Sequence, residues 1–439
     1  MIRPYRLNPR YWEYQGKPLM LLGGSVEDNL FQIDQLEEHL DLLQAVGGNY
    51  IRCTMSSRDD GDVWPFARDG ASGLFDLQKF NSNYWEKFGH LLELTAKREI
   101  IVQVEVWDRF DFSREPWLQN PFNPAQNINY TSEESGLKEE YPNHPGANQQ
   151  PFFYSVPACQ NNQRLLRFQQ DFVQQLLSIT FQFDHVLYCM DNETSGTEEW
   201  GAYWADFIHE IARRENKEIY LTEMWDQWDV THAMHDATFN HPERYGFADI
   251  SQNNQISGED HWHNMQWRRA SIADAPRPMN MVKIYGADGN KFGRSNDDAM
   301  DRFWRGLLGG MASLRFHRPP SGLGLSPLAQ KNIKMARSFL SLVDFLQCSP
   351  DVEHTIFRVR EEDGAYLSQY GESDFAIYFP RKAQAELNLP NDGKMIWFNL
   401  LSGNMIDEDN AILHNDEPFT PPDEGHWLAL IRIQATAET

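Results

Sequence analysis

Three polar residues stand together at the end of one strand-like segment of this sequence. In HVLYCMDNETSG (residues 185–196), a mostly apolar run leads directly into Asp191, Asn192 and Glu193, and the chain then turns. A strand that delivers a carboxylate and an amide together is suited to acid–base chemistry on a bound substrate. Two simpler interpretations compete with it. Glu193 would be an acid in the first turn of the next helix, and Asn192 would be the N-cap of that helix.

Carboxylates also end the strand-like segments on either side. Glu105 and Asp108 lie at the end of IIVQVEVWD, and Glu223 and Asp226 lie at the end of EIYLTEMWD. Carboxylates that crowd together repel one another, and this repulsion raises the pKa of one of them, which is how a general acid is made. The density of acids on three consecutive strands therefore predicts a site where protons are exchanged.

These side chains need a scaffold that gathers strand ends, and the rest of the sequence predicts one. Short apolar runs alternate with helical patterns eight times, which is typical of an α/β protein with a (β/α)8 TIM barrel. The strand candidates are 18–25, 49–55, 100–108, the run from 185, 218–226, 246–254, 278–286 and 311–319. The helical patterns include 35–47, 83–99, 163–180, 198–215, 298–310 and 326–346. Catalytic side chains of such barrels lie at the C-terminal ends of the strands, and the polar segment 113–160 is expected to cover that face.

A second pattern begins near residue 350. Short alternating runs, such as HTIFRVREE, DFAIYFPR and HWLALIRIQ, are separated by glycine and Asn-Asp-Gly turns. This pattern predicts a small antiparallel β-sandwich or half-barrel. The expected domains are a catalytic barrel over residues 1–347 and a β-sandwich over residues 348–439, with a structural role or an accessory sugar contact for the second.

The composition argues against several classes of function. A chain of 439 residues with 41% hydrophobic residues can bury a large core. Its formal net charge of −25, with no long basic block, argues against a nucleic-acid-binding protein. No apolar stretch approaches the roughly 20 residues that a membrane span needs. The chain is therefore expected to be soluble, and cytoplasmic, or secreted or periplasmic if a leader has been removed.

The sequence predicts no metal, cofactor or disulfide framework. Cys53, Cys159, Cys189 and Cys348 are far apart and show no CxxC spacing. The HWH triplet at 261–263 has a metal-like spacing, but it lies in a helical run and no convergent set of acids and histidines follows it.

Ten strand-end side chains are the expected substrate contacts. They are Arg52, Trp107, Asp108, Asn192, Trp225, Asp226, Lys283, Tyr285, Arg315 and His317. Tryptophans, including Trp228 and Trp262, are either sugar platforms or ordinary core residues. The cations in this otherwise acidic chain suggest a substrate that carries a carboxylate or sulfate, while the alternative is that they neutralise the acids of the site.

Several motifs resemble a known group of enzymes. NYIR at the second strand and DNE at the end of the fourth look like clan-A glycoside hydrolases. The segments NPRYWEYQGKPLMLLGGS, HLDLLQAVGGNYIR and FAIYFPRKAQAELNLPNDGKMIWFNLLSGN are similar to the apiosidase-like branch of that clan, which ends in a β-sandwich. The resemblance implies that Glu193 is the general acid/base, that Asn192 binds a sugar 2-hydroxyl and that Arg52 orients the partner carboxylate.

One departure from that pattern bears on the mechanism. In the clan the nucleophile ends the seventh strand, where PMNMVKIYG offers Lys283 and no acid. Since a glycosidase needs two carboxylates, Glu223 becomes the best candidate for the second, ahead of Asp226, Asp249 and Glu105. The predicted function is hydrolysis of O-glycosidic bonds in an oligo- or polysaccharide by Glu193 and Glu223.

Two other functions remain open from the sequence. One is a catalytically inactive barrel that binds carbohydrate without cleaving it. The other is a metal-dependent hydrolase, which requires that His261, His263 or His317 converge with aspartates.

Overall fold

The described residues are 1–290, 294–407, 412–415 and 417–433 of a computed structural model. Eight parallel strands, β1 to β8, form its centre, in the order Leu21–Gly24, Tyr50–Thr54, Ile101–Asp108, Val186–Asn192, Leu221–Thr222, Ala248–Asp249, Met279–Ile284 and Ser313–Phe316. Strands β1 to β5 pair in sequence, as do β6 to β8, and β8 pairs back onto β1. The amide of Phe247 donates to the carbonyl of Leu221 at 3.4 Å and links β5 to β6. The predicted barrel is confirmed.

Strands β5 and β6 are much shorter than the sequence predicts, with two residues each. Side chains bind the backbone amides directly after them. Glu223 accepts a hydrogen bond from the amide of Met224 at 3.0 Å, and Asp249 accepts one from the amide of Ser251 at 2.8 Å. Such local side-chain bonds end a ladder early, and alternation of apolar residues does not reveal them.

Seven helices of ten or more residues surround the barrel in the described part of the chain. These helices, α1 to α7, are Leu36–Ala45, Ser82–Lys97, Gln163–Thr180, Glu198–Arg214, Gly258–Ser271, Asn296–Leu308 and Pro327–Leu340. Shorter helices are Arg114–Gln119, Ser132–Ser135, Pro145–Asn148 and Asp236–Phe239, and 3-10 turns are Leu30–Gln32, Arg109–Phe112, Pro151–Tyr154, Ala233–His235, Ser251–Gln255 and Phe345–Gln347. The long helices bury one face each, as α3 does with Leu165, Phe172 and Leu176. None of the described helices has the length and apolarity to cross a membrane.

A sheet at the N-terminus of the chain covers the N-terminal end of the barrel. Its strands are Arg3–Tyr5, Asn8–Tyr14 and Lys17–Leu19. The buried Trp12 packs with Leu21, Tyr50 and Ile101 at the starts of β1, β2 and β3. Its indole also donates to Asn280 Oδ1 at 3.1 Å. The N-terminal end of the barrel is therefore filled by packed side chains, which leaves the opposite end for a binding site.

The C-terminal residues form the predicted antiparallel unit. A seven-stranded sheet contains Cys348–Pro350, Tyr366–Tyr370, Asp374–Phe379, Gly393–Asn399, Asn404–Ile406, Ile412–Leu413 and Trp427–Ile433. A two-stranded sheet of the same unit pairs Phe357–Arg360 with Ala385–Leu387. A separate two-stranded sheet, between β2 and α2, pairs Phe66–Arg68 with Phe75–Phe80. Tyr378 in the large sheet donates to Asp301 Oδ1 of α6 at 2.5 Å, so the unit packs on the barrel. The last six residues of the expected second domain, 434–439, lie outside the described residues.

Candidate active site

A cleft of about 1200 Å³ opens at the C-terminal ends of the barrel strands. Its charged and polar lining includes Asp28, Arg52, Arg58, Asn192, Glu193, Asp226, Lys283, Tyr285, His317 and Arg318. Two aromatic rings, Phe110 and Trp228, also line it. The polar segment that was expected to cover this face contributes Arg114, Pro116 and His144.

Glu193 lies in this cleft, in a strained turn just after β4. Its φ is 63°, a left-handed conformation that few non-glycine residues adopt and that often marks functional sites. Both neighbours are fixed, since Asn192 donates to Asp108 Oδ1 at 3.1 Å and the amide of Thr194 donates to the carbonyl of Met224 at 2.7 Å. Helix α4 begins only at Glu198, so Glu193 is not in its first turn and Asn192 is not its N-cap.

Two cations hold the Glu193 carboxylate. Lys283 Nζ lies 2.6 Å from Oε1, and Arg109 Nη2 lies 3.2 Å from Oε2. Burial alone would raise the pKa of Glu193, but the charges of Lys283 and Arg109 hold it well below its usual value. The expected rise by crowding occurs instead at Asp191, where burial and the nearby Glu223 raise the pKa well above its usual value. Both cations therefore favour the ionised form of the Glu193 carboxylate in this cleft.

Glu223 is not part of the cleft lining. Its side chain is buried between β5 and α4, where a Cβ on Gly201 would lie 2.3 Å from Glu223 Oε2. Oε1 accepts hydrogen bonds from the Thr194 hydroxyl at 2.5 Å and from the amides of Asp191 and Met224 at 3.2 and 3.0 Å. Glu223 therefore supports the turn that carries Glu193 and does not face a substrate, which corrects its expected position.

Burial raises the pKa of Glu223 to about 8, so the folded protein keeps its proton at neutral pH. Between the usual pKa of 4.5 and about 8, the folded state binds a proton that the unfolded chain has released. The free energy of unfolding therefore falls as the pH rises through this window, by up to about 1.4 kcal/mol for each pH unit.

Glutamine at position 223 can accept the same hydrogen bonds and carries no titrating proton. We expect Glu223→Gln to be close to wild type in stability at pH 5 and to lose less stability than wild type between pH 5 and 9. Urea unfolding at several pH values measures both slopes. Equal slopes for the two proteins would show that Glu223 does not keep its proton in the fold.

Asp226 is the carboxylate that shares a partner with Glu193. Arg109 Nη1 lies 2.6 Å from Asp226 Oδ2, while its Nη2 contacts Glu193. A single buried guanidinium thus spans the two acids, and its size keeps their nearest oxygens within the roughly 9.5 Å that glycosidases use. The side chain of Asp226 is 33% exposed. The two acids are therefore held beside each other in the cleft.

Arg52 and Asp28 form a buried charge network in the cleft floor. Arg52 binds Glu105 in a bidentate manner, at 2.6 and 2.5 Å, and its Nη1 lies 2.8 Å from Asp28 Oδ1. Arg315 and His317 reach the same Asp28 oxygen at 3.4 and 3.5 Å, consistent with their sharing one strand face. Burial would raise the pKa of Asp28, but nearby charges, with that of Arg52 the largest, hold it well below its usual value. Arg52 and Arg315 are thus already paired with an acid, while burial lowers the pKa of His317 well below its usual value.

Four other expected contacts do not reach the cleft. Trp107 stacks on Phe172 in the core, with ring centroids 5.0 Å apart, and Trp225 is buried with its indole bonded to Thr238. Large apolar rings gain more from this burial than from exposure. Asp108 lies beneath the cleft, bound by Arg58 and Asn192, and Arg315 is fully buried. Tyr285 does line the cleft, with its ring centroid 4.8 Å from that of His317.

Several residues of the site were not among the expected contacts, including Asp28, Arg58, Arg109 and Arg114. Asp28 follows β1, whose end contributed no candidate, and Arg109 is the residue directly after β3. A search that extended a few residues past every strand end would have included both. Arg58 and Arg114 lie deeper in their loops, where the sequence carries no positional signal.

No protein-family model and no curated protein matches the sequence. A glycoside hydrolase family 5 protein from Bacteroides vulgatus ATCC 8482 matches 98% of this chain and 93% of its own, with a TM-score of 0.65 and 12% identity. This is the fold of the glycoside hydrolase barrels.

Two further structures agree with that assignment. A family 5 mannosidase from Rhizomucor miehei, in complex with mannosyl-fructose, matches 79% of this chain and 98% of its own, with a TM-score of 0.53 and 11% identity. A family 27 β-L-arabinopyranosidase from Geobacillus stearothermophilus matches 96% and 97%, with a TM-score of 0.51 and 10% identity. The likeness to family 5 fits the clan-A resemblance of the sequence. None of these proteins is named as apiosidase-like, and that branch stays a prediction.

Proposed function

We propose that this protein is a glycoside hydrolase that cleaves an oligo- or polysaccharide in the cleft around Glu193. The observation that carries the proposal is the position of Glu193, an ionised, strained carboxylate at the end of β4 that reaches a large open cleft. The barrel has the fold of proteins named as a mannosidase and an arabinopyranosidase, which supports a carbohydrate substrate.

Asp226 is the second carboxylate of the proposed pair. The cations on Glu193 favour its charged form, so Glu193 is suited to attack the anomeric carbon or to take a proton from an attacking water. Asp226 is the more exposed of the two acids and pairs with one cation where Glu193 pairs with two, so we assign to it the proton that the leaving oxygen takes up as the glycosidic C–O bond breaks. Its Oδ2 is held by Arg109, and among the described residues no donor is bonded to its Oδ1. This assignment replaces Glu223 with an acid that lies in the cleft.

A second candidate function is a barrel that binds carbohydrate without cleaving it. It is favoured by Lys283, which stands at the end of β7 and forms a 2.6 Å ion pair with Glu193. A lysine cannot replace the nucleophilic carboxylate that the resemblance to clan-A enzymes implies at the end of this strand.

An anionic group on the substrate is a further part of the proposal. Most cations near the cleft are paired with acids, so they fit charge balance rather than ligand binding. Arg114 differs, because it lines the cleft with an exposed side chain and has no ion pair among the described residues. A uronate or sulfate near the cleft mouth would bind Arg114.

Paired variants at the cleft mouth test these substrate contacts. Trp228 is 58% exposed beside the cleft and can stack on a sugar ring. We expect Trp228→Ala to weaken the binding of neutral and charged oligosaccharides alike, by about tenfold. Arg114→Gln should weaken only uronate- or sulfate-bearing ligands. Calorimetric titration measures both, and equal losses for neutral and charged ligands in Arg114→Gln would contradict the anionic substrate.

The experiment that tests the function is a cleavage screen of the purified protein. The panel contains neutral oligosaccharides and matched uronate- and sulfate-bearing ones, and products are followed by NMR. Cleavage that is lost in Asp226→Asn and Glu193→Gln supports the hydrolase and the pair. A retained product anomer identifies Glu193 as the nucleophile, and an inverted one identifies it as the base for water. Binding without cleavage supports the second candidate.

A further inference from the structure

A cluster of metal-ligating side chains lies outside the cleft, where the barrel meets the C-terminal unit. Glu259 and His263 are one turn apart on α5, and His354 comes from the segment between Cys348–Pro350 and Phe357–Arg360. His354 Nε2 lies 3.0 Å from Glu259 Oε2, and the rings of His263 and His354 have centroids 5.9 Å apart. Two units of the fold thus contribute to one cluster.

The spacing of this cluster fits a single ion. One ligand atom from each of the three residues lies within 4.8 Å of the others. An ion bound at the roughly 2.0–2.2 Å of zinc–nitrogen and zinc–oxygen bonds reaches all three after small side-chain rotations. Two imidazoles and one carboxylate favour zinc and similar transition metals over magnesium or calcium, which prefer oxygen ligands only.

The surroundings position the ligands. Arg360 Nη1 holds Glu259 Oε1 at 2.5 Å, which leaves Oε2 directed at His354. The backbone of His354 has a left-handed φ of 53°, and its Nδ1 is buried without a hydrogen-bond partner among the described residues. A histidine in a sparsely populated backbone conformation is held there by its surroundings, which here aim its ring at α5.

We propose that Glu259, His263 and His354 bind one divalent transition-metal ion, of the zinc class, with water completing the coordination. None of the three lines the cleft, so the ion would be structural and would join α5 to the C-terminal unit. This proposal does not depend on the proposed hydrolase function. It also differs from the metal-dependent hydrolase, because the three ligands lie outside the cleft and include no aspartate.

Zinc titration of the chelator-treated full-length protein tests the site. Calorimetry should show that wild type binds one zinc ion per chain. His263→Gln and His354→Gln should each weaken the affinity for zinc by at least about tenfold. His241→Gln is the matched control, because His241 is also a surface histidine with acidic neighbours, Glu198 and Glu243. The control should bind zinc as wild type does.

Thermal unfolding gives a second readout. Zinc should raise the melting temperature of wild type and of His241→Gln by several degrees and leave that of His263→Gln unchanged. His263 is exposed, so its replacement should not prevent folding. The proposal is overturned if wild type binds no zinc, or if His263→Gln and His354→Gln bind it as tightly as wild type does.

Discussion

Replacing Glu193 with glutamine is expected to lower kcat for glycoside cleavage by about 10³-fold or more while oligosaccharide binding stays within about tenfold of wild type. Glutamine keeps the shape of the side chain but can neither bond to the anomeric carbon nor take a proton from water. It also removes the charge that pairs with Lys283 and Arg109. The rate of product formation at saturating substrate gives kcat, and calorimetry gives the affinity for the oligosaccharide.

Glu198→Gln is the matched control for that variant. Glu198 is a 52%-exposed carboxylate at the start of α4, outside the cleft, where its partner is His241. Its replacement should leave kcat unchanged. If Glu193→Gln cleaved as fast as wild type, the catalytic carboxylate would lie elsewhere in the cleft and the proposed pair would be wrong.

The largest expected effect on stability comes from Arg52→Met. The guanidinium of Arg52 is fully buried and neutralises Glu105, which is also fully buried, and Asp28, whose side chain is 4% exposed. Methionine fills a similar volume but leaves two carboxylates in the barrel without their main partner. We expect the free energy of unfolding, measured in urea at pH 7, to fall by about 3–5 kcal/mol.

Two further variants separate charge burial from lost packing. Adding Glu105→Gln to Arg52→Met should recover part of the loss, because one uncompensated charge is removed. Arg98→Met breaks an ion pair with the exposed acids Glu37 and Asp41 and should cost less than about 1 kcal/mol. A loss in Arg52→Met no greater than that in Arg98→Met would contradict the network.

Two cations from different parts of the barrel pair with the Glu193 carboxylate. Lys283 occupies the end of β7, and Arg109 reaches across from the 3-10 turn after β3. Because both cations favour the charged carboxylate, our proposal gives Glu193 the part of nucleophile or base, whereas the resemblance implies a general acid/base, and that choice remains to be tested. Asp226 contacts the same guanidinium and is the acid best placed to share the reaction.

Strand parity explains why Glu223 faces away from the cleft, although the sequence made it the best candidate for the second carboxylate. Leu221 packs in the shell between the sheet and the helices, while Met224 packs with the barrel interior. Glu223 shares the parity of Leu221 and therefore faces α4. The sequence does not show this, because YLTEMW carries apolar residues at both parities and the strand itself is only two residues long.

The sequence by itself determined the architecture. Apolar periodicity predicted the eight barrel strands and most long helices, because burial of one face leaves a regular pattern in the chain. The change to short alternating runs near residue 350 predicted the antiparallel unit in the same way. Placement of Glu193, Asn192 and Arg52 at strand ends followed from the barrel rule and needed no coordinates.

Only the tertiary structure decided which of these groups face each other and in what charge state. The pairing of Glu193 with Lys283 joins residues 90 positions apart, and the His354–Glu259 contact joins residues 95 apart. A pKa depends on burial and on charges within a few ångströms, and neither quantity is encoded in local sequence spacing. The sequence could name the acids of the site, but the fold determined which of them stays ionised in the cleft and which keeps its proton beneath it.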